Sequence, residues 1–317
     1  MPIELEMSLR VLTYHRVAEA RATPHLNPRM ISATPEVFDR HMSFLSKNYH
    51  VLNLPEVLRA LEQRTPLPRR AVLVTFDDAY LDFGEIAWPI LKKYRVPATL
   101  FVPTGYPGRA ERSFWWDRLY RAFNHIQQKE ISVAPLGRLA CANNAGHRNS
   151  LKRAQNFVKT LPHAEAMHWI ENFCAEFDGC LLPPASVLSW EELRRLAREG
   201  VTLGAHTVNH PMMTRLTQEE MRYEIAQAQK DLQREIGSAL PIFCYPSGGH
   251  DDGVVSLLRA EGIRVAFTTL DGHNDLTTAD PLRLRRTNVT PRTTTLLLRL
   301  RLMRLMSKVD AWRHGGE

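Results

Sequence analysis

Short apolar runs alternate along the chain with longer segments whose apolar residues recur every three or four positions. Residues 10–14, 71–76, 98–102, 201–205, 242–245 and 265–269 are short and rich in β-branched and aromatic side chains, so each reads as a buried strand. The segments between them carry helix signals. Thr34-Pro35 offers an N-cap with proline in the first turn, followed by Val37, Phe38, His41, Phe44 and Leu45 at helical spacing. Ser189-Trp190-Glu191-Glu192 and Thr217-Gln218-Glu219-Glu220 match the capping box, and Gly200, Gly237 and Gly262 stand where helices should stop. Alternating strand and helix units predict an α/β protein with a largely parallel sheet. Periodicity does not separate an open sheet from a closed barrel.

One predicted strand ends in chemistry. Val72-Leu73-Val74-Thr75-Phe76 runs directly into Asp77-Asp78, two adjacent carboxylates at the carboxyl end of a core strand. That end is where α/β proteins place their sites. Adjacent like charges destabilise each other unless a cation or a proton divides their roles. Far downstream, residues 201–205 lead into His206-Thr207-Val208-Asn209-His210-Pro211. Two histidines four apart can converge on one ion, and Pro211 disfavours helical geometry at His210, which predicts a loop or single turn. One carboxylate plus two imidazoles makes a three-ligand site with open positions, the catalytic type. Each motif alone is ordinary: an Asp pair is commonly a cap or turn, a His pair commonly surface or packing. Together, at two strand ends, they read as a site.

These residues carry a family resemblance. Thr75-Phe76-Asp77-Asp78-Ala79-Tyr80 resembles the first motif of the polysaccharide deacetylases, the NodB-homology carbohydrate esterases. His206-Thr207-Val208-Asn209-His210 is similar to their His-[Ser/Thr]-x-x-His motif, and Phe243-Cys244-Tyr245-Pro246-Ser247-Gly248 to their third. Tyr14-His15-Arg16-Val17 resembles an opening segment of one branch, and order and spacing fit from Leu9 to Asn288 apart from one long insertion. The resemblance implies a distorted (β/α) barrel. It also implies removal of N-acetyl groups from a glycan, with Asp77 as general base and Asp78, His206 and His210 as metal ligands. The Ser247 backbone N–H would face the oxyanion, and Tyr245 is read as a substrate contact. Carboxylate and imidazole donors suit Zn²⁺, with Co²⁺, Ni²⁺, Fe²⁺ or Mn²⁺ as alternatives. Departures stand beside the match. Cys244 occupies the place of the usual arginine of the third motif, and the Asp-Trp and Leu-x-His motifs are not evident around residues 267–274 and 284–288. The general acid is therefore unassigned by motif. His15, at a strand end on the same predicted face, is the first candidate and His273 the second.

At 317 residues the chain suffices for one large domain with an insert. The expected catalytic domain covers residues 9–290 with a mostly helical insertion at about 106–188, followed by a basic C-terminal helix at 291–317. Near the start of the insertion, Phe114-Trp115-Trp116-Asp117 offers Trp115 and Trp116 either as stacking surfaces for sugar rings or as packing anchors. In the tail, arginines interleave with Leu and Met around residues 296–306. That pattern fits a helix docked on the barrel with its arginines reaching solvent, with a peripheral membrane contact as the alternative. The net charge of +7 favours acidic partners, but no nucleic-acid motif accompanies it, so no nucleic-acid partner is expected. Cys141, Cys174, Cys180 and Cys244 form no Cys-x-x-Cys pair, so ordinary packing is expected of them. No apolar leader precedes the first strand, which points to a cytoplasmic protein, membrane-associated if its tail binds lipid, acting on an oligosaccharide, polysaccharide or lipid-linked glycan. Three other readings compete: hydrolysis of a different C–N amide on the same fold, a non-haem Fe(II) oxygenase using the same ligand triad, and an inactive glycan-binding relative.

Overall fold

The computed structural model describes residues 7–109, 111–177 and 186–303. The chain divides into two compact units. The first holds the residues up to Glu19, Met30–Gly108 and those from Val187 on; the second holds Ala20–Arg29 and Arg109–Ser186.

Strands β1 (Ser8–Tyr14), β2 (Arg16–Val17), β3 (Ile31–Ala33), β4 (His50–Val51), β5 (Ala71–Phe76) and β6 (Thr99–Val102) fall in the first half of the chain. A hairpin of β7 (Glu130–Val133) and β8 (Gly137–Ala140) comes next. After it follow β9 (Thr202–Ala205), β10 (Ile242–Cys244), β11 (Val265–Phe267), β12 (Asn274–Asp275) and β13 (Thr287–Asn288). Helices α1 (Pro35–Asn48), α2 (Leu54–Gln63) and α3 (Trp88–Tyr94) precede the hairpin's unit. Helices α4 (Trp115–His125), α5 (Asn144–Val158) and α6 (His163–Phe177) belong to that unit, and α7 (Trp190–Arg198), α8 (Gln218–Ile236), α9 (Asp252–Ala260) and α10 (Thr295–Arg301) return to the first.

The first unit is built on one sheet in the order β11-β10-β9-β6-β5-β1-β12, with β4 added on β5 and β13 on β1. All of its pairings are parallel except β1 with β12. The six apolar runs that predict strands are β1, β5, β6, β9, β10 and β11. β5 is buried at every position and β6 likewise, as strands covered on both faces must be. Closure is irregular. The segment around Leu284–Asn288 bridges Phe267 of β11 through Leu284 and pairs Leu12 of β1 through Thr287. One short stretch thus links the end strand β11 to β1 near the other end of the order, and the sheet forms a distorted barrel. Leu9, Val11, Leu73, Phe101, Val265, Phe267 and Leu284 fill its core.

The caps fall where the sequence places them. Thr34 accepts from Val37 N–H ahead of α1, and both capping boxes form ahead of α7 and α8. α10 docks on the first unit. Leu298 and Leu302 are buried, and the Arg10 Nε–H donates to the Leu302 carbonyl at 2.7 Å. Leu296, Leu300 and Met303 remain exposed, and the basic residues expected beyond 303 lie outside the described residues. Among the described residues no helix is long and apolar enough to cross a membrane.

The second unit has its own core of Leu119, Phe123, Ile131, Leu139, Ala154, Ile170 and Phe173. Its hairpin is a strand element within a segment that the sequence reads as mostly helical. Ile131 and Leu139 alternate inward from two short polar strands and pair in register, a period of two too brief to stand out in the sequence. Cys141 and Cys174 are free thiols of this unit and Cys244 of the first, while Cys180 lies outside the described residues.

Candidate active site

The carboxyl ends of β1, β5, β9 and β10 carry the residues that the sequence singles out. Asp77 and Asp78 leave β5 through a turn in which Asp78 (φ 71°) and Ala79 (φ 53°) both adopt left-handed backbone. Asp77 N–H donates to the Tyr14 carbonyl, which holds the turn against the end of β1. Both acids are buried, at 2% and 1% exposure. They then face different neighbours.

Asp78 faces the histidines. Its Oδ1 lies 3.5 Å from His206 Nε2 and 3.2 Å from His210 Nε2. Neither Asp78 oxygen has a hydrogen-bond partner among the described residues, although both are buried. An ionised carboxylate without donors is expensive to bury, and a shared cation would offset that cost. Ligands about 2.0–2.1 Å from a tetrahedral Zn²⁺ lie roughly 3.4 Å from one another, close to the spacing of these three. The other nitrogen of His206, Nδ1, sits 2.7 Å from the Cys244 carbonyl. A carbonyl only accepts, so Nδ1 carries the proton and Nε2 turns its lone pair toward Asp78, the tautomer a metal ligand needs. Burial opposes ionisation of Asp78, but the two imidazoles that face it hold its carboxyl far below the usual range. Burial lowers His210, which favours its neutral, ligating form. For His206 burial pulls the same way, but Cys244 and the two carboxylates outweigh it and raise its proton affinity. Asp78, His206 and His210 thus fit a divalent ion in identity, spacing and orphaned charge.

Asp77 faces an arginine that the motifs do not supply. Arg286 Nη1–H donates to Oδ1 at 2.9 Å and Nη2–H to Oδ2 at 2.8 Å, a bidentate pair with the guanidinium fully buried. Arg286 Nε–H is anchored on the Thr268 carbonyl at 2.8 Å. Burial would raise the Asp77 carboxyl, but the Arg286 charge and hydrogen bonds prevail and keep it below the usual range. The Cys244 thiol is 3.6 Å from Asp77 Oδ2, and His15 Nε2 is 4.0 Å from the same oxygen. Cys244 therefore occupies the third-motif arginine position beside Asp77, while a guanidinium reaches the same carboxylate from the barrel's closing segment.

These findings meet an independent comparison. The profile of the polysaccharide deacetylases matches residues 64–266. The chain belongs to the polysaccharide deacetylase family. YxkH of Bacillus subtilis is 20% identical over 270 residues, spanning 85% of this chain and 67% of that protein. Poly-β-1,6-N-acetyl-D-glucosamine N-deacetylases of Staphylococcus aureus are 33% identical over 112 residues, 32% of this chain and only 38% of their own length. The deacetylase PplD of Streptococcus pyogenes, solved with acetate, shares the fold with a TM-score of 0.62 at 20% identity, covering 94% of this chain and 99% of that one.

Other residues singled out from the sequence fall as follows. Ser247 follows β10 with left-handed backbone (φ 53°), in the turn Pro246–Gly248. Its neighbour Gly248 (φ 74°) must be glycine, because a Cβ there would collide with Thr269. His15 N–H is held by Ser32 Oγ at 2.9 Å, and its ring stands near Asp77. His273 instead meets the Arg301 carbonyl at 3.0 Å through Nε2. Two expectations need correction. Tyr245 is fully buried and its hydroxyl donates to the Leu282 carbonyl at 2.7 Å, so it packs the turn and offers no face to substrate. Trp116 is 6% exposed and stacks on Phe114 at 4.5 Å within the second unit, which leaves no free ring face for a sugar. Trp115 keeps partial exposure and packs against the second unit's core.

Proposed function

We propose that this polysaccharide deacetylase is a metal-dependent N-deacetylase. Its substrate would be an N-acetylated amino-sugar glycan, as for the staphylococcal relatives, and its products acetate and a free amine. The observation that carries the reading is the buried Asp78–His206–His210 cluster beside a separately ion-paired Asp77. Asp78, His206 and His210 would hold the ion, Zn²⁺ first among the candidates. Such an ion, when bound, polarises the acetyl carbonyl and makes a nearby water more acidic.

The chain's own groups divide the remaining work. Asp77 accepts the proton lost by the attacking water. The Arg286 pair fixes the direction of its carboxylate and keeps it ionised and ready to accept. The Ser247 N–H donates to the oxygen that gains negative charge. His15 protonates the departing amine, so that the C–N bond breaks to a neutral leaving group. Its ring nitrogen lies 4.0 Å from Asp77, within the same site. Cys244 in place of arginine does not weaken this reading, because Arg286 meets the same requirement.

Metal analysis of the purified chain with acetate release from a panel of N-acetylated glycans tests the proposal. One equivalent of divalent metal and acetate release that a chelator abolishes are expected. Metal without acetate release, but with cleavage of a small linear or cyclic amide, would move the assignment to another C–N hydrolase.

A further inference from the structure

The amides of the loop that carries both histidines are gathered from outside by one buried carboxylate. α8 buries Glu224, Ile225, Ala228, Asp231 and Leu232 on one face. A carboxylate on an apolar face is destabilising unless donors surround it. Asp231 accepts from Thr104 Oγ1 at 2.8 Å. Glu224, 5% exposed, is committed to the histidine loop. Its Oε2 accepts Val208 N–H at 2.7 Å and Asn209 N–H at 2.9 Å, and its Oε1 accepts from Asn209 Nδ2 at 2.6 Å. All three donors lie between His206 and His210.

That loop does not follow backbone preference. Thr207 (φ 66°) and His210 (φ 56°) are both left-handed, and for a β-branched residue such as Thr207 this is a true outlier. Thr207 Oγ1 accepts His210 N–H at 2.9 Å and donates to the His206 carbonyl, which tightens the turn from within. Such a conformation persists only where its surroundings over-determine it. Thr104 and Gly105 N–H groups hold the Thr207 and Val208 carbonyls at 3.0 and 2.9 Å, and Glu224 holds both amides at the loop's tip.

We propose that Glu224 is a positioning residue for the histidine pair. It locks residues 207–209 so that both Nε2 atoms face Asp78 before an ion arrives. This rests on the reading of Asp78, His206 and His210 as a metal site. Groups that orient metal ligands typically change affinity 10–100-fold when removed. Glu224→Ala removes all three acceptor contacts. Glu224→Gln keeps one oxygen for the two amides and, with Asn209 reoriented, one bond to that side chain, so it tests the charge with little change of shape.

Zinc dissociation constants of the full chain, measured by competition with a chromogenic chelator, provide the test. Leu232→Ala, on the same buried face of α8 about two turns beyond Glu224, is the control for lost stability. Glu224→Ala should weaken Zn²⁺ binding about 10–100-fold, Glu224→Gln by less, and Leu232→Ala negligibly. Amide exchange at Val208 and Asn209 in the metal-free chain should accelerate only in the Glu224 variants. An unchanged dissociation constant in Glu224→Ala, or an equal weakening in Leu232→Ala, overturns the role of Glu224 while native binding leaves the metal site standing. A native chain that binds no Zn²⁺ overturns the metal reading and the role together.

Discussion

The two halves of the site differ although they begin from identical side chains one residue apart. Asp77 turns toward the barrel's closing segment and meets a guanidinium in bidentate geometry. Asp78 turns toward β9 and meets two imidazole nitrogens at distances suited to a shared ion, with no hydrogen-bond donor of its own among the described residues. Burial and residue type are the same in both places. The neighbour divides the roles: a fixed positive charge satisfies one carboxylate permanently, while the other is left open to the cation proposed above.

The largest effects should come from breaking the histidine half. His206→Ala or His210→Ala leaves two protein ligands, and an ion's charge stabilisation is worth several kcal/mol. Activity should fall on the order of 10³-fold or more, together with metal content by elemental analysis. Stoichiometric metal in both variants would mean the ligands lie elsewhere. Next in size is Asp77→Asn, which should keep the metal and reduce kcat by about 10²–10⁴-fold. The reverse pattern, metal lost in Asp77→Asn and retained in Asp78→Asn, would exchange the roles of the two halves.

The halves also differ in how legible they were. Asp78, His206 and His210 stand at the ends of predicted strands in a motif with fixed spacing, so chain order alone suggested their meeting. The partner of Asp77 could not be read that way. Arg286 is 209 residues away and sits in Leu284-Arg285-Arg286-Thr287-Asn288, a segment too short and mixed to predict as a strand. Its place follows from how β11 and β1 are bridged, which is a tertiary fact. One clue existed: Cys244 at the usual arginine position left a buried carboxylate in need of a cation from somewhere. The core strands were legible because they are apolar on both faces. The two-residue strands β4, β12 and β13 were not, because their pairing depends on neighbours rather than on local pattern. Tyr245 and Trp116 went astray for one reason: an aromatic next to a motif looks the same in sequence whether it faces a ligand or the core.

Arg286→Met sharpens the comparison at the level of stability. It leaves Asp77 buried and unpaired, which typically costs about 3–5 kcal/mol. Chemical denaturation should show that loss, and the double variant Arg286→Met/Asp77→Asn should recover a substantial part of it. Arg286→Lys restores a charge but not the fork, so it should recover stability better than turnover. If the double variant is as unstable as the single, the pair is not the reason Arg286 matters.

The smallest effect concerns a third buried imidazole, and it checks the lesson that partners outweigh burial. His41 is fully buried, with Nδ1 3.1 Å from the Tyr14 hydroxyl and Nε2 3.0 Å from the Thr293 carbonyl. The carbonyl only accepts, so Nε2 carries the proton and Nδ1 accepts from Tyr14, a neutral ring with both nitrogens satisfied. No carboxylate among the described residues is bonded to it. Burial therefore prevails over the Thr293 hydrogen bond and lowers His41 from 6.5 to about 4, whereas His206, buried beside two carboxylates, is raised. The folded chain refuses a proton that the unfolded chain takes up near pH 6.5, so the unfolded state binds more protons between pH 6.5 and about 4. The stability contribution is complete above that window and is lost progressively as pH falls through it, by about 3 kcal/mol in all. His41→Phe, which keeps the ring volume, should be less stable at neutral pH but show a correspondingly flatter loss of stability between these two pH values in urea titrations. His41 itself should titrate near 4 by nuclear magnetic resonance. A midpoint near 6.5 would mean that the ring is hydrated or finds an anion when charged, and the contrast with His206 would then not rest on the absence of a carboxylate.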